Sequence, residues 1–256
     1  MTTTVSNDLK WMLVSDIHMP FHNKRHLDLW FEVVKDTKPD VVDILGDLDD
    51  ACPVGRFANG TNLETTNLAA SYAPLIRNFF RDLREILPEA EIHFATGNHE
   101  ERYDKYISTQ APALLGLIDA NTLWHTDKYG IDLSYYNEPP VHRFGDIYVH
   151  HGPYAQSKSG ESVRKVVDDF NVSAVVGHCH RQGYIAKTYP LAGRELRGWE
   201  LGHMTDIDSS GMAYDIKKDW QAGFGFATIV NGNDPHISLA PIRDNIVVVD
   251  GKIYRG

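Results

Sequence analysis

Cysteine is scarce in this sequence: Cys52 and Cys179 are the two in 256 residues. They lack Cys-x-x-Cys spacing and are too few for a disulfide framework, so a reducing, cytoplasmic setting is expected. No apolar run approaches the roughly 18–20 residues of a membrane span, so no membrane partner is expected. The opening stretch Met1–Asp8 has neither the basic residues nor the apolar run of a secretory leader. Basic charge is short as well: 25 Lys and Arg against 35 Asp and Glu leave a formal net charge of −10. Such a chain lacks the broad cationic footprint on which duplex binding depends, so extended duplex DNA is a poor partner. Linkers, repeats and low-complexity tracts are missing too, and residues 1–256 read as one domain. A core of that size needs no covalent staples.

What is present is a recurring unit, a short apolar run that stops at polar residues. Trp11–Val14 runs into Ser15-Asp16-Ile17-His18, Val41–Leu45 into Gly46-Asp47, and Ile92–Ala95 into Thr96-Gly97-Asn98-His99-Glu100. Ile147–Val149 runs into His150-His151-Gly152, and Ala174–Val176 into Gly177-His178-Cys179-His180. Runs of this length bounded by glycine predict buried strands. Between them, Leu27, Trp30, Phe31 and Val34 keep helical spacing, as do Val163, Val166, Val167 and Phe170. A longer stripe runs from Leu68 through Tyr72, Leu75, Ile76, Phe79 and Leu83 to Ile86, closed by Pro88. Strands alternating with helices predict an α/β fold. After about Gly223 come strands without helices, and Asp250-Gly251 predicts a tight hairpin into Ile253-Tyr254. This tail is expected to be antiparallel and to complete a second sheet.

Ligands of α/β sheets gather outside the carboxyl ends of strands, where all five polar blocks lie. Carboxylate, imidazole and amide oxygen without thiolate suit Mn²⁺, Fe, Zn²⁺, Ni²⁺ or Co²⁺, and chemistry alone does not choose among them. Asp16-x-His18 and His178-x-His180 each place two donors on one side of an extended segment.

Asp16-x-His18, Gly46-Asp47-x-x-Asp50, Gly97-Asn98-His99-Glu100, His151-Gly152 and Gly177-His178-x-His180, in this order, resemble the calcineurin-like metallophosphoesterase superfamily. Glu100-Glu101-Arg102 and Asp219–Phe224 look most like its small phage and bacterial members, which implies a bacterial or phage-infected host cell. The resemblance implies a four-layer α-β-β-α sandwich of two mixed sheets flanked by helices, with a metal site at strand C-terminal ends. It implies that Asp16, His18 and His180 hold a first divalent cation and Asn98, His151 and His178 a second, with Asp47 bridging. Mn²⁺ is the first expectation. The implied reaction is in-line attack on phosphorus by a hydroxide bridging two cations. His99 would stabilise the equatorial oxygens or protonate the leaving alkoxide, and Asp50 would orient His99 by accepting its second N–H. Arg102 and Arg181 flank metal blocks and are candidate substrate-phosphate contacts.

Each assignment has a plainer competitor. An Asp after a strand is commonly a turn or cap residue, and Gly-Asn alone is an ordinary turn. His150 and His151 compete for one role, since neighbours on a strand face opposite ways; His151, next to the glycine, is favoured, with His150 behind the site. Cys179 is expected to be buried and inert. His22, His26, His93, His125, His142, His203 and His236 match no block and default to surface or core.

For substrate, protein phosphatases of the superfamily follow the second motif with Arg-Gly, where this chain has Ala51-Cys52-Pro53. A small phosphodiester or nucleotide is therefore expected, most plausibly a nucleoside cyclic phosphate (2′,3′ or 3′,5′). The alternatives are a nuclease acting on single-stranded or end DNA or RNA and a non-catalytic scaffold that kept the fold. The stretches Pro53–Asn67 and Tyr154–Glu161 are candidate substrate loops.

Overall fold

The computed structural model describes residues 8–56, 58, 60–212 and 217–256. Strands β1 (Leu9–Val14), β2 (Val41–Leu45), β3 (Glu91–Ala95) and β4 (Ile131–Ser134) lie side by side and parallel. Their connections hold helices α1 (Lys24–Thr37), α2 (Leu68–Ser71), α3 (Ala73–Ile86), α4 (Glu101–Gln110) and α5 (Ala120–Trp124). A second sheet, built from β5 (Val141–His142), β6 (Ile147–His150), β7 (Ser173–Val176), β8 (Gln182–Tyr189) and β9 (Arg194–Leu201), has the order β5-β6-β7-β9-β8. Helix α6 (Glu161–Phe170) joins the parallel pair β6 and β7. The chain ends with β10 (Gly223–Val230), β11 (Asp234–Pro241), β12 (Ile246–Val249) and β13 (Lys252–Arg255).

Period-two alternation explains the layering. On β1, Trp11 and Leu13 join Ile147, Val149, Val175, Trp199 and Leu201 in a core between the sheets. Met12 and Val14 face the other way, into a core with Trp30, Val33, Phe79, Phe80 and Leu83 of α1 and α3. On the outer face of the second sheet, Ala174 and Val176 of β7 pack against Val163, Val166 and Val167 of α6. The result is helices, sheet, sheet, helix, as the four-layer expectation stated. Among the described residues no helix is long and apolar enough to cross a membrane.

The sheets are also joined by a buried polar network. Asp43 on β2 accepts from Trp11 Nε1 at 2.6 Å, His93 Nδ1 at 2.6 Å, and Arg143 Nη2 at 2.7 Å. Arg143 belongs to the hairpin between β5 and β6, so one carboxylate ties the two layers together. His93 is thereby a satisfied core residue.

Two expectations are corrected. The tail is antiparallel but does not complete the second sheet. Strands β10 and β11 extend the first sheet beside β1, while β12 and β13 form a separate two-stranded sheet. The second sheet instead uses residues 141–201, including the β8–β9 hairpin. The long stripe from Leu68 is two helices, broken at Tyr72 with Pro74 in the first turn of α3. Proline has no N–H to continue the preceding helix and fits a first turn.

Candidate metal centre

All five polar blocks follow the carboxyl ends of β1, β2, β3, β6 and β7. Residues 16 to 180 meet there because β1, β2 and β3 run parallel in one sheet and β6 and β7 in the other. The backbone of these turns is unusual. Asp16, His18, Asp47, His178 and His180 all have positive φ, between 51° and 69°. The extended-segment argument for Asp16 and His18 is thus corrected: left-handed turns, not strand alternation, aim these side chains. Non-glycine residues hold this conformation at a cost of about 1–3 kcal/mol each and cluster at functional sites.

The turns interlock closely. A Cβ at Gly97 would sit 2.2 Å from Asp47 Oδ1, and one at Gly177 would sit 1.8 Å from Ser15 Oγ. Glu100 is buried, and its carboxylate accepts from the backbone N–H groups of Gly97 (2.7 Å), Asp47 (3.0 Å) and Asp49 (2.8 Å). It holds the second and third blocks together. Burial, together with the nearby Asp47 charge, pushes the Glu100 carboxyl up to about 7.

At the centre, His180 Nε2 lies 3.1 Å from Asp16 Oδ1 and 3.1 Å from His18 Nε2. Asp47 Oδ2 lies 3.6 Å from His18 Nε2, 3.8 Å from His99 Nε2 and 3.3 Å from His151 Nε2. His151 Nε2 is also 3.1 Å from Asn98 Oδ1. Donor atoms of Asp16, His18 and His180 form one close group, those of His18, Asp47 and His99 a second, and those of Asp47, His151 and His178 a third.

The opposite imidazole nitrogens are anchored. His151 Nδ1 donates to the Leu45 carbonyl at 2.7 Å, and His18 Nδ1 to Asp50 Oδ2 at 3.0 Å. His99 Nδ1 donates to the Asp50 backbone carbonyl at 2.9 Å, with Asp50 Oδ2 at 3.2 Å from the same nitrogen. Asp50 therefore orients His99 mainly through its carbonyl, while its carboxylate serves His18. These anchors leave Nε2 facing the centre in all three rings.

Burial alone would neutralise the charges here, but the groups hold one another ionised. Burial opposes charge on Asp16, yet His180 and His18 keep its carboxyl far below the usual range. Against the same burial, Asp16 and Asp50 raise His18 to about 10, and Asp47 raises His151 to about 9. His178 falls to about 4 through burial and the His151 charge. Without an ion, protons on His18 and His151 offset part of the charge of Asp16, Asp47 and Asp50.

These residues fit divalent cations. Donors about 2.0–2.1 Å from a shared ion stand about 2.8–3.4 Å apart at octahedral to tetrahedral angles. The 3.1 and 3.3 Å separations above fall in that interval. Asp16 Oδ1 is buried and, although His180 Nε2 is 3.1 Å away, accepts no well-aligned hydrogen bond, a state that a cation would relieve.

Of the remaining residues singled out from sequence, Arg102 reaches the centre: Nη2 donates to His99 Nε2 at 2.7 Å and Nη1 to the Asp50 carbonyl at 2.8 Å. Arg181 turns away. Its Nη1 donates to the carbonyls of Gln156 and Cys179, and Nε faces Asp219 at 3.6 Å. In this arrangement it braces a loop. His150 lies behind the site, donating from Nε2 to the Tyr136 carbonyl at 3.0 Å. Cys179 is buried. Sequence reasoning missed the anchoring by Glu100 and the placement of Trp220, whose ring stands 4.3 Å from that of His180. The segment Asp219–Phe224 stood out only by resemblance, and nothing in its sequence says that Trp220 reaches the centre.

A family model described as calcineurin-like phosphoesterase matches residues 9–182. The Gene 54 proteins of Mycobacterium phages L5 and D29 are each 27% identical over 254 residues, covering 95% of this chain and 97% of theirs. Among solved structures, Vacuolar Protein Sorting 29 from Cryptosporidium parvum aligns with a TM-score of 0.50 at 14% identity. The match covers 96% of this chain and 94% of that one.

Proposed function

This chain belongs to the calcineurin-like phosphoesterase family, a family of metal-dependent phosphoesterases, and on that premise we propose that it hydrolyses small phosphodiesters, nucleoside cyclic phosphates (2′,3′ or 3′,5′) foremost. The observation that carries the reading is Asp47, whose Oδ2 faces His18 and His99 on one side and His151 on the other. A shared carboxylate suits a pair of sites. Asp16, His18 and His180 would hold one cation, Asn98, His151 and His178 the other, with Asp47 common to both and Mn²⁺ the first choice. Bound there, the pair supplies Lewis acidity and an acidified water.

The protein's own residues do the rest. His99 Nε2 faces the cluster; once released by Arg102 and protonated there, it would stabilise the equatorial oxygens or protonate the departing alkoxide. Arg102 is the guanidinium that reaches His99 at the centre. An incoming phosphoryl oxygen would replace His99 Nε2 as the acceptor of its Nη2–H, fixing the substrate and freeing Nε2 in one exchange. Asp50 positions His18 and His99 together. Every ligand position is filled, which argues against a scaffold that only kept the fold.

The test is a panel on Mn²⁺-loaded protein: bis-p-nitrophenyl phosphate, both cyclic nucleotide types, single-stranded oligonucleotide and a phosphopeptide. Cyclic nucleotides are expected to turn over fastest. Background rates on them beside rapid oligonucleotide cleavage would replace this reading with the nuclease.

A further inference from the structure

Trp220 is a wall shared by the metal centre and a second feature. Its half-buried indole stands edge-on to His180, centroids 4.3 Å apart at 84°. It also lines a cavity of about 580 Å³ with Ser159, Gln182, Leu239, Ile242 and Arg243. The cavity is built from several distant segments. Gln221 N donates to the His180 carbonyl at 2.9 Å, and Gln221 Oε1 accepts from Gln182 N and Ser159 Oγ, each at 3.2 Å. That pairing fixes the backbone next to Trp220 and ties in the loop that carries Ser159.

The lining chemistry is selective. An aromatic wall with aliphatic neighbours suits a planar ring. Amide and hydroxyl groups suit the polar edge of a base, and the exposed Arg243 adds positive charge in an acidic protein. A volume of this size lies within the usual range for small-ligand sites. We propose that this cavity is the subsite for the nucleoside part of the substrate, with the base stacked on Trp220 beside the phosphoryl group at the metal centre. The proposal rests on the phosphodiesterase reading above. Its competitor is a tryptophan that only props His180.

The experiment compares kcat/KM on metal-loaded protein for 2′,3′-cyclic AMP and for glycerol 1,2-cyclic phosphate, a cyclic diester without a base. Trp220→Ala is expected to lower the ratio of the two roughly tenfold, as lost base stacking predicts. Trp220→Phe, which keeps an aromatic face, retains most of it. A ratio unmoved in both variants overturns the subsite. In a second arm, AMP is titrated into metal-free protein with indole fluorescence as readout. Quenching in the wild type and its loss in Trp220→Phe supports stacking at Trp220; equal quenching in both overturns it. If the wild type hydrolyses neither diester, the phosphodiesterase reading fails, and the fluorescence arm still decides the cavity.

Discussion

Imidazoles at the centre present Nε2 inward because Nδ1 is already committed: His151 to the Leu45 carbonyl, His18 to the Asp50 carboxylate, His99 to the Asp50 carbonyl. Each of these oxygens accepts the Nδ1 proton, so once a ring gives up its second proton the Nε2 lone pair faces the cluster. His99→Ala is expected to lower kcat by about 10²–10⁴-fold while metal content, measured by elemental analysis, stays at the wild-type level. Unchanged turnover would remove His99 from the chemistry. A second expectation concerns protons. In the ion-free protein His18 is raised to about 10 and His151 to about 9, so both carry protons at pH 7 that a cation must displace. Mn²⁺ binding should therefore release protons into a weakly buffered solution and tighten as pH rises toward 9. Calorimetry in buffers of different ionisation enthalpy reads this directly; uptake without proton release would contradict the assignment.

Turns and helix ends, the next scale up, decide where those residues stand. The second and third blocks interlock so tightly that Gly97 leaves no room for a methyl group beside Asp47. Gly97→Ala should push Asp47 out of place and weaken metal binding at least tenfold, while far-ultraviolet circular dichroism stays native. Metal affinity equal to wild type would show that the turn yields. Helix α6 shows another dependence. Glu200 on β9 is fully buried and accepts from Gly160 N at 2.7 Å and Val163 N at 3.0 Å, capping the helix from a neighbouring strand. Glu200→Ala strands two backbone donors and should cost about 2–4 kcal/mol in urea unfolding. Helices α4 and α5 escaped sequence reasoning for a related reason. In α4 only Tyr103 and Ile107 are buried, so its apolar stripe is too narrow to stand out from a polar loop.

Across the whole molecule, stability rests on how the two sheets are joined. Asp43 is buried between them, with Trp11, His93 and Arg143 around it. Burial opposes its charge, but His93 and Arg143 hold its carboxyl below the usual value. A depressed folded pKa means the carboxylate contributes stability above the unfolded value near 3.8 and loses that contribution as pH falls through the folded one. Asp43→Ala leaves the largely buried Arg143 with the exposed Glu91 as its remaining counter-charge, so a loss of about 3 kcal/mol, the low end for a broken buried pair, is expected at neutral pH. The difference between variant and wild type should shrink in acid. Chemical denaturation at pH 7 and pH 3 reads both. Metal acts on the same scale: a ligand bound only by the folded state raises the melting temperature, so chelation by EDTA should lower it, and a melting curve indifferent to EDTA would argue against a resident cation.

The donor types that gather at the centre were readable before any fold. Asp16, His18, Asp47, Asn98, His99, His151, His178 and His180 each follow an apolar run, and that local pattern needs no knowledge of distant residues. The runs did become β1, β2, β3, β6 and β7. Local pattern could not say which sheet the tail would join, because β10 finds β1 across more than two hundred residues and pairing partners leave no trace in spacing. Nor could it separate Arg102 from Arg181, which look alike in sequence yet point to His99 and to loop carbonyls respectively. Donor type and order along the chain are properties of single residues, so sequence determined them alone. Direction and proximity arise only when the turns that carry these residues pack against one another, and those the tertiary structure decided.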